Sequence, residues 1–484
     1  MTSTQLPSLA QRVRESEWGG GSQALAAAAV HWEDTLFASR STMDEHARRL
    51  ATPGLMPPAR MLRQGLAMGL SQIRYALRHL PGDFRNDLRP VNETEEWAKG
   101  MIARTTRDQC EFLGPSGAEI ARILDASEGL APGIMVEEIR RRPVKCRPVP
   151  AAAVNYVLRK VFDGAIGPVE PDPVAYTPVS QMHRATLDDG RNVLVRVQRP
   201  GIVTQLRGDA RVTATLIGPL ESQFSTVQEQ RPGAFVELAT RQIIEETDLR
   251  NEALNAVLLA LAAEEIGVEG VVIPRPVPGF VDSRAVVFDD IGGRPFGPAA
   301  HTLAVDKVVN SLVGISAETG LVKGIFHADL RPENLLVLED GSIGIASIGT
   351  LGCFDDNTRQ AAFKYLTTVF SGDFRGQVDA MELAGAVTPE TDKEALVEAL
   401  ANTESLQPAG MFGSGGEGVM NALGQAVGVL LEHNIEPNLA TIMFVRDVFQ
   451  LRYLIGQIDE NASVVASLLP LMQRLPLLLQ EQEQ

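Results

Sequence analysis

Hydrophobic positions recur along this chain with two different periods, and the change of period marks a change of architecture. In the first 110 residues the period is helical. Leu62, Leu66, Leu70, Ile73, Leu77 and Leu80 follow at three- and four-residue steps, which places them on one stripe of a helix. Arg60, Arg63, Arg74 and Arg78 fall along one flank of that stripe. Such a segment reads first as a core-facing helix with a solvated edge. Its second reading is a peripheral surface, over residues 60–80, that meets anionic lipid or an acidic partner. A second basic cluster, Arg140, Arg141, Arg142, Lys145 and Arg147, reads as a solvated face.

From residue 168 to 292 the pattern shortens to strand-like runs. Gln181–Leu187 and Asn192–Gln198 flank Asp188-Asp189-Gly190, a strong hairpin signal, and Gly270–Ile273 and Ala285–Phe288 follow. Two long helical stretches lie between these strands, over about 201–224 and 231–266. After Gly293 the pattern is mainly helical, interrupted by strand-like runs at Asn334–Leu338 and Ser342–Ala346. The prediction is an α+β, protein-kinase-like two-lobe fold. A small β-rich N-lobe covers 168–292, a larger helical C-lobe covers 293–484, and helical regions over 1–110 and 111–167 precede them.

Composition narrows the partners. The 484 residues carry 44 basic and 61 acidic side chains, a formal net charge of −17. That charge repels a phosphate backbone at long range, so non-specific nucleic-acid binding is not expected. Cys110, Cys146 and Cys353 are odd in number and far apart, which suits a reducing, cytoplasmic setting and offers neither a disulfide framework nor a metal clip. No secretory signal and no run of 18 apolar residues is present, so a soluble or membrane-peripheral chain is expected. The C-terminal run over 463–480 is itself broken by Pro470, Arg474 and Pro476.

Phosphoryl transfer asks a protein for a cation on the phosphates, a carboxylate near the acceptor and ligands for magnesium. Several of these occur here in order. Arg196 sits in the strand-like NVLVRVQ, alternating with Val195 and Val197. The acidic helix IIEETDLRNEALN offers Glu246 or Glu252 as its ion-pair partner. Asp329 precedes Asn334 by five residues in HADLRPEN, a spacing that lets a carboxylate and an amide converge just ahead of a strand. Asp329 reads as the acceptor-positioning carboxylate and Asn334 as a metal ligand, or both as braces of their loop. His327 reads as structural. Gly413-Ser-Gly-Gly-Glu-Gly418 matches a dinucleotide pattern, but no strand precedes it, and it reads as a loop.

With these residues in hand, the chain resembles the UbiB/AarF/ADCK family of atypical kinases. That family's VAVKVQRPG corresponds to VLVRVQRPG here, and its HADPHPGN to HADLRPEN. QMHRATLDDGR, TDLRNEALN and PRPVPGF also stand in family order, and the likeness runs over about residues 112–355. The resemblance implies a kinase-like fold with the 111–167 extension packed on its cleft. It also implies ATP or ADP binding with magnesium, Ser180 and Gln181 on the phosphate side with Arg196, Glu246 and Glu252, and a link to isoprenoid lipids.

The departures from the family lie where the chemistry would be. The position of its main magnesium aspartate holds Ser347, a neutral and poor ligand for a hard dication. Arg196 replaces the lysine, and a planar fork is not a compact ammonium. The phosphate loop AAASIGQVH is AYTPVSQMH here, with Pro178 lacking an N–H and Ser180 in place of glycine. The lysine and glutamine of the KxGQ signature are Glu119 and Arg122. These losses predict a pseudokinase that binds or regulates a protein or lipid partner. The alternative is an unorthodox phosphotransferase or ATPase that uses Asp329 and Asn334.

Overall fold

Asp188-Asp189-Gly190 does turn the chain. Arg191 O accepts from Leu187 N at 3.0 Å, and Gly190 adopts φ +86°, a conformation that favours glycine. The computed structural model describes residues 7–51, 62, 65–66, 69–70, 91–126, 133–210, 232–407, 425–426, 428–430 and 432–459. The rest of the stripe over 60–80, the helical stretch beyond 210, the loop 413–418 and the run 463–480 lie outside the described residues.

The chain forms two compact units, Ser39–Thr247 and a second composed of Met1–Ala38 with Asp248–Gln484. In Ser39–Thr247, β1 (Ala175–Tyr176), β2 (Ser180–Thr186) and β3 (Asn192–Gln198) pair antiparallel in chain order, with Met182 opposite Arg196. Strand β3 is buried at every position after Asn192. Its alternation therefore sends Arg196 to one covered face and Val195 and Val197 to the other. The helices Val91–Leu113, Pro115–Asp125, Gly133–Arg141 and Ala151–Val161 belong to the same unit, as does Pro232–Glu246. Ile123, Val179, Ile202, Leu206, Ala239 and Ile243 form one cluster that binds helix Pro115–Asp125 to helix Pro232–Glu246.

The other unit holds β4 (Val271–Val272), the pair β5 (Pro276–Asp282) and β6 (Ala285–Asp289), β7 (Arg294–Pro295), β8 (Ile325–His327), β9 (Leu335–Val337), β10 (Ile343–Ile345) and β11 (Leu351–Cys353). Here β4, β10, β9 and β7 form a sheet in that order, and β11 pairs with β8. Strands β9 and β10 are antiparallel, with Ile345 opposite Leu335, so the end of the HADLRPEN loop lies beside the Ser347 segment. Helix Leu249–Glu265 is buried on nearly all sides, as its alanine- and leucine-rich sequence demands. Phe326, Phe354 and Phe444 stack with centroids 5.0–5.2 Å apart. Gly352 lies flat against that cluster: a Cβ there would come within 2.1 Å of the Phe326 ring. Among the described residues no helix is long and apolar enough to cross a membrane.

Two sequence expectations change. The helical stretch over 231–266 is two helices, because Asp248 leaves the helical conformation and its carboxylate accepts from Arg250 N at 3.2 Å, capping Leu249–Glu265. The leucine stripe is not core-facing at its described positions, where Leu62, Leu66 and Leu70 are 64%, 54% and 49% exposed. The cap gives a prediction. Asp248→Ala should lower unfolding free energy by about 1 kcal/mol in urea titration, whereas Asp248→Asn or Asp248→Ser should restore most of it.

Candidate functional site

Asp329 is the carboxylate on which phosphoryl-transfer chemistry would turn, and it is 3% exposed. Its environment is a consequence of its own loop. Arg331, two residues on, folds back so that Nε donates to Oδ1 at 2.9 Å and Nη2 to Oδ2 at 2.7 Å. This fork-on-carboxylate arrangement is the strong form of an ion pair and uses both oxygens. Asn334 closes the loop from the other end, donating Nδ2 to Asp329 O at 2.8 Å and to Oδ2 at 3.0 Å. Helix Leu439–Ile458 backs this loop: Arg446 donates to Ala328 O, and Gln450 Nε2 approaches Asp329 Oδ1 at 3.5 Å. Asp447 on the same helix accepts from the Ser316 hydroxyl, and burial pushes it up to about 8.

Ser347 is held just as fully. Its hydroxyl donates to Glu252 Oε1 at 2.9 Å, and Ile348 N reaches the same oxygen at 3.2 Å. Asn255, three residues after Glu252 and so on the same helix face, donates Nδ2 to Ile348 O at 2.9 Å. Glu252 and Asn255 together clamp the Ser347–Ile348 backbone to helix Leu249–Glu265. His327 completes the seam. Its Nε2–H donates to Ser347 O at 2.8 Å, while Nδ1 accepts from Asp329 N at 3.2 Å.

Of the residues expected on the phosphate side, Arg196, Ser180, Gln181 and Glu246 lie in the Ser39–Thr247 unit. Arg196 donates Nη1 to Ser180 Oγ at 3.3 Å and is 7% exposed. The backbone N–H groups of Val179 and Ser180, which a phosphate loop would offer outward, both donate to Thr177 Oγ1, at 3.2 and 3.1 Å. The Gln181 carboxamide is a backbone brace: Oε1 accepts from Val149 N at 2.8 Å and Nε2 donates to Val149 O at 3.0 Å. Glu246 is met by Arg122 Nη2 at 2.8 Å and by Gln242 Nε2 at 2.6 Å. Arg122 also donates Nε to Glu119 at 2.8 Å, and Glu119 is fully buried. The two residues standing in the KxGQ positions therefore form one ionic network with Glu246.

A magnesium–nucleotide pair does not suit these donors. The Ser347 hydroxyl donates to Glu252, and both Asp329 oxygens face Arg331. A hard dication wants several free oxygens, carboxylates first. Among the described residues, no group of three or more His, Cys, Asp or Glu side chains is placed to hold a metal. Sequence reasoning missed Arg331, Thr177 and Gln450. Arg331 had a visible signal, since it stands where the family motif has histidine and is two residues from Asp329. Thr177 and Gln450 had none.

Two predictions follow from these networks. Arg122→Ala strands Glu119 in a dry site and should cost about 3–5 kcal/mol in chemical denaturation. A loss under about 1 kcal/mol would show that the network is not structural. His327 is neutral when folded because burial lowers its pKa to about 4, with the Ser347 carbonyl bond opposing. The unfolded imidazole titrates near 6.5, so stability is complete above that pH. It should fall as pH drops toward 4, by up to about 3 kcal/mol. His327→Gln should flatten that part of a stability-versus-pH curve.

Comparison with known proteins matches the sequence to a family. Residues 145–381 match the family model for the ABC1 atypical kinase-like domain. A probable protein kinase UbiB of Marinobacter nauticus is 27% identical over 293 residues, 58% of this chain and 53% of that protein. An uncharacterized chloroplastic aarF domain-containing protein kinase of Arabidopsis thaliana is 24% identical over 299 residues, 60% of this chain and 42% of that one. The chain thus spans about half the length of these relatives. The solved Rv3197–erythromycin complex of Mycobacterium tuberculosis aligns with TM-score 0.48 and 19% identity, over 78% of this chain and 97% of that one. The match covers the Arg196 strand, the Glu252 helix and the Asp329 loop alike, and residues 145–381 are an ABC1 atypical kinase-like domain of the UbiB/AarF family.

Proposed function

We propose that this chain is a pseudokinase, a binding or regulatory module built on the kinase-like fold, without phosphoryl-transfer activity. The pairing of Asp329 with Arg331 carries the reading. A carboxylate gripped by a guanidinium in a buried loop cannot take a proton from an acceptor hydroxyl until that pair is broken. Breaking a buried pair costs several kcal/mol. The clamp on Ser347 supports the same conclusion, because a lost metal carboxylate removes orders of magnitude in rate. Thr177 adds to it by using the N–H groups that would otherwise meet phosphate. The UbiB resemblance supports a lipid-linked setting for such a module.

One observation favours the other reading, an unorthodox phosphotransferase or ATPase. Asn334 and Asp329 remain within 3.0 Å of each other in the family's loop. Thermal shift with ATP, with and without magnesium, separates the two readings. The expected result is no magnesium-dependent rise in Tm and no ATP turnover above an Asp329→Asn control. A metal-dependent rise of several degrees, with turnover that Asp329→Asn abolishes, would overturn the pseudokinase reading.

A further inference from the structure

Helix Leu249–Glu265 ends on two carboxylates, Glu264 and Glu265, with no basic residue in its last turn. Negative charge is disfavoured there, because the last carbonyls of a helix already carry partial negative charge. The N-terminal segment of the same unit answers both groups. The backbone N–H groups of Glu17 and Trp18 donate to the two oxygens of Glu264 at 2.7 and 2.9 Å. Arg12 Nε donates to Glu265 Oε1 at 2.8 Å, and Lys323 Nζ stands 3.0 Å from the other oxygen. Trp18 Nε1 adds a bond to Ile273 O at 2.8 Å.

The segment is shaped to make these contacts. Helix Leu9–Glu15 buries Leu9 and Val13, and a turn follows it. In that turn Ser16 Oγ donates to Val13 O and accepts from Gly19 N, both at 2.9 Å. Gly19 lies so close that a Cβ would come within 1.9 Å of Val13 O. The hold is nevertheless weak. The helix has 7 residues, too few to persist without its contacts. The Arg12–Glu265 pair is 25% and 34% exposed and so is screened by salt. Segments of this kind open ahead of the fold as a whole.

Glu252 and Asn255, which clamp Ser347 and Ile348, sit near the start of helix Leu249–Glu265. Glu264 is about 18 Å further along the axis, at about 1.5 Å per residue. No glycine or proline interrupts this helix, and it is buried on nearly all sides, so it shifts as one rod. We infer that Leu9–Gly19 is a releasable clasp on the C-terminal end of helix Leu249–Glu265, and that its opening loosens the Ser347–Ile348 seam near the other end. A clasp of this kind needs neither nucleotide nor a reacting carboxylate, so it stands or falls separately from the pseudokinase reading.

Hydrogen–deuterium exchange of the full chain, read by mass spectrometry, tests the clasp with Gly19→Ala, which forces the turn open without removing a charge. Exchange over residues 9–21, 249–265 and 343–353 should rise about tenfold or more as two bonds to a charged carboxylate are lost. The separate core cluster of Val378, Leu396 and Leu400 should keep its wild-type rate. Arg12→Ala, which leaves the turn intact, should give the same pattern at lower amplitude, and it serves if Gly19→Ala does not fold. Faster exchange over 9–21 with 343–353 unchanged overturns the coupling. So does a rise that includes the Val378 cluster, which would mean a general loss of stability. Exchange in both variants that matches wild type throughout overturns the clasp itself.

Discussion

A carboxylate shut away from water must be met by donors, and in this protein those donors come from the chain itself. Asp329 shows the consequence most directly. Its loop returns Arg331 onto both carboxylate oxygens, and Asn334 ties the same group from the strand side. The loop conformation, the entry into β9 and the seam with β10 all follow from that arrangement. These bonds hold the loop together.

The same rule repeats at several positions where the family pattern is broken. Ser347 does not leave a hole, because Glu252 and Asn255 reach it and its neighbour from one helix face. Glu119 and Arg122 do not appear as isolated charges, because they pair with each other and with Glu246. Thr177 takes up the N–H groups beside Pro178. The substitutions read in isolation look like losses. Read with their partners, they are side chains held by internal hydrogen bonds and ion pairs, and this is how a buried polar centre persists.

Much of the scaffold was legible because its signals are local. Period-two alternation and an Asp-Asp-Gly turn are enough to place β2 and β3, and the strands expected over 192–198, 270–273, 285–288 and 342–346 form at Asn192–Gln198, Val271–Val272, Ala285–Asp289 and Ile343–Ile345. Helix–strand junctions were less legible. Asp248 breaks a continuous helical pattern by capping, a competition between side chain and backbone that periodicity does not register. The short strands β8 and β11 pair across the chain, with Leu351 opposite His327, and have no local signature of their own.

The sequence by itself determined the family, the order of the motifs and the identity of the residues that replace them. It also singled out Asp329, Asn334, Glu252 and Ser347 as candidates, because motif spacing along one chain is a one-dimensional property. Which of these residues face each other is three-dimensional, and only the tertiary structure decided it. It gave Glu246 to Arg122, Ser347 to Glu252 and Asp329 to Arg331. It also turned Leu62, Leu66 and Leu70 outward, although their spacing suits a core equally well. Periodicity fixes which side chains share a face, and only packing decides whether that face meets protein or solvent.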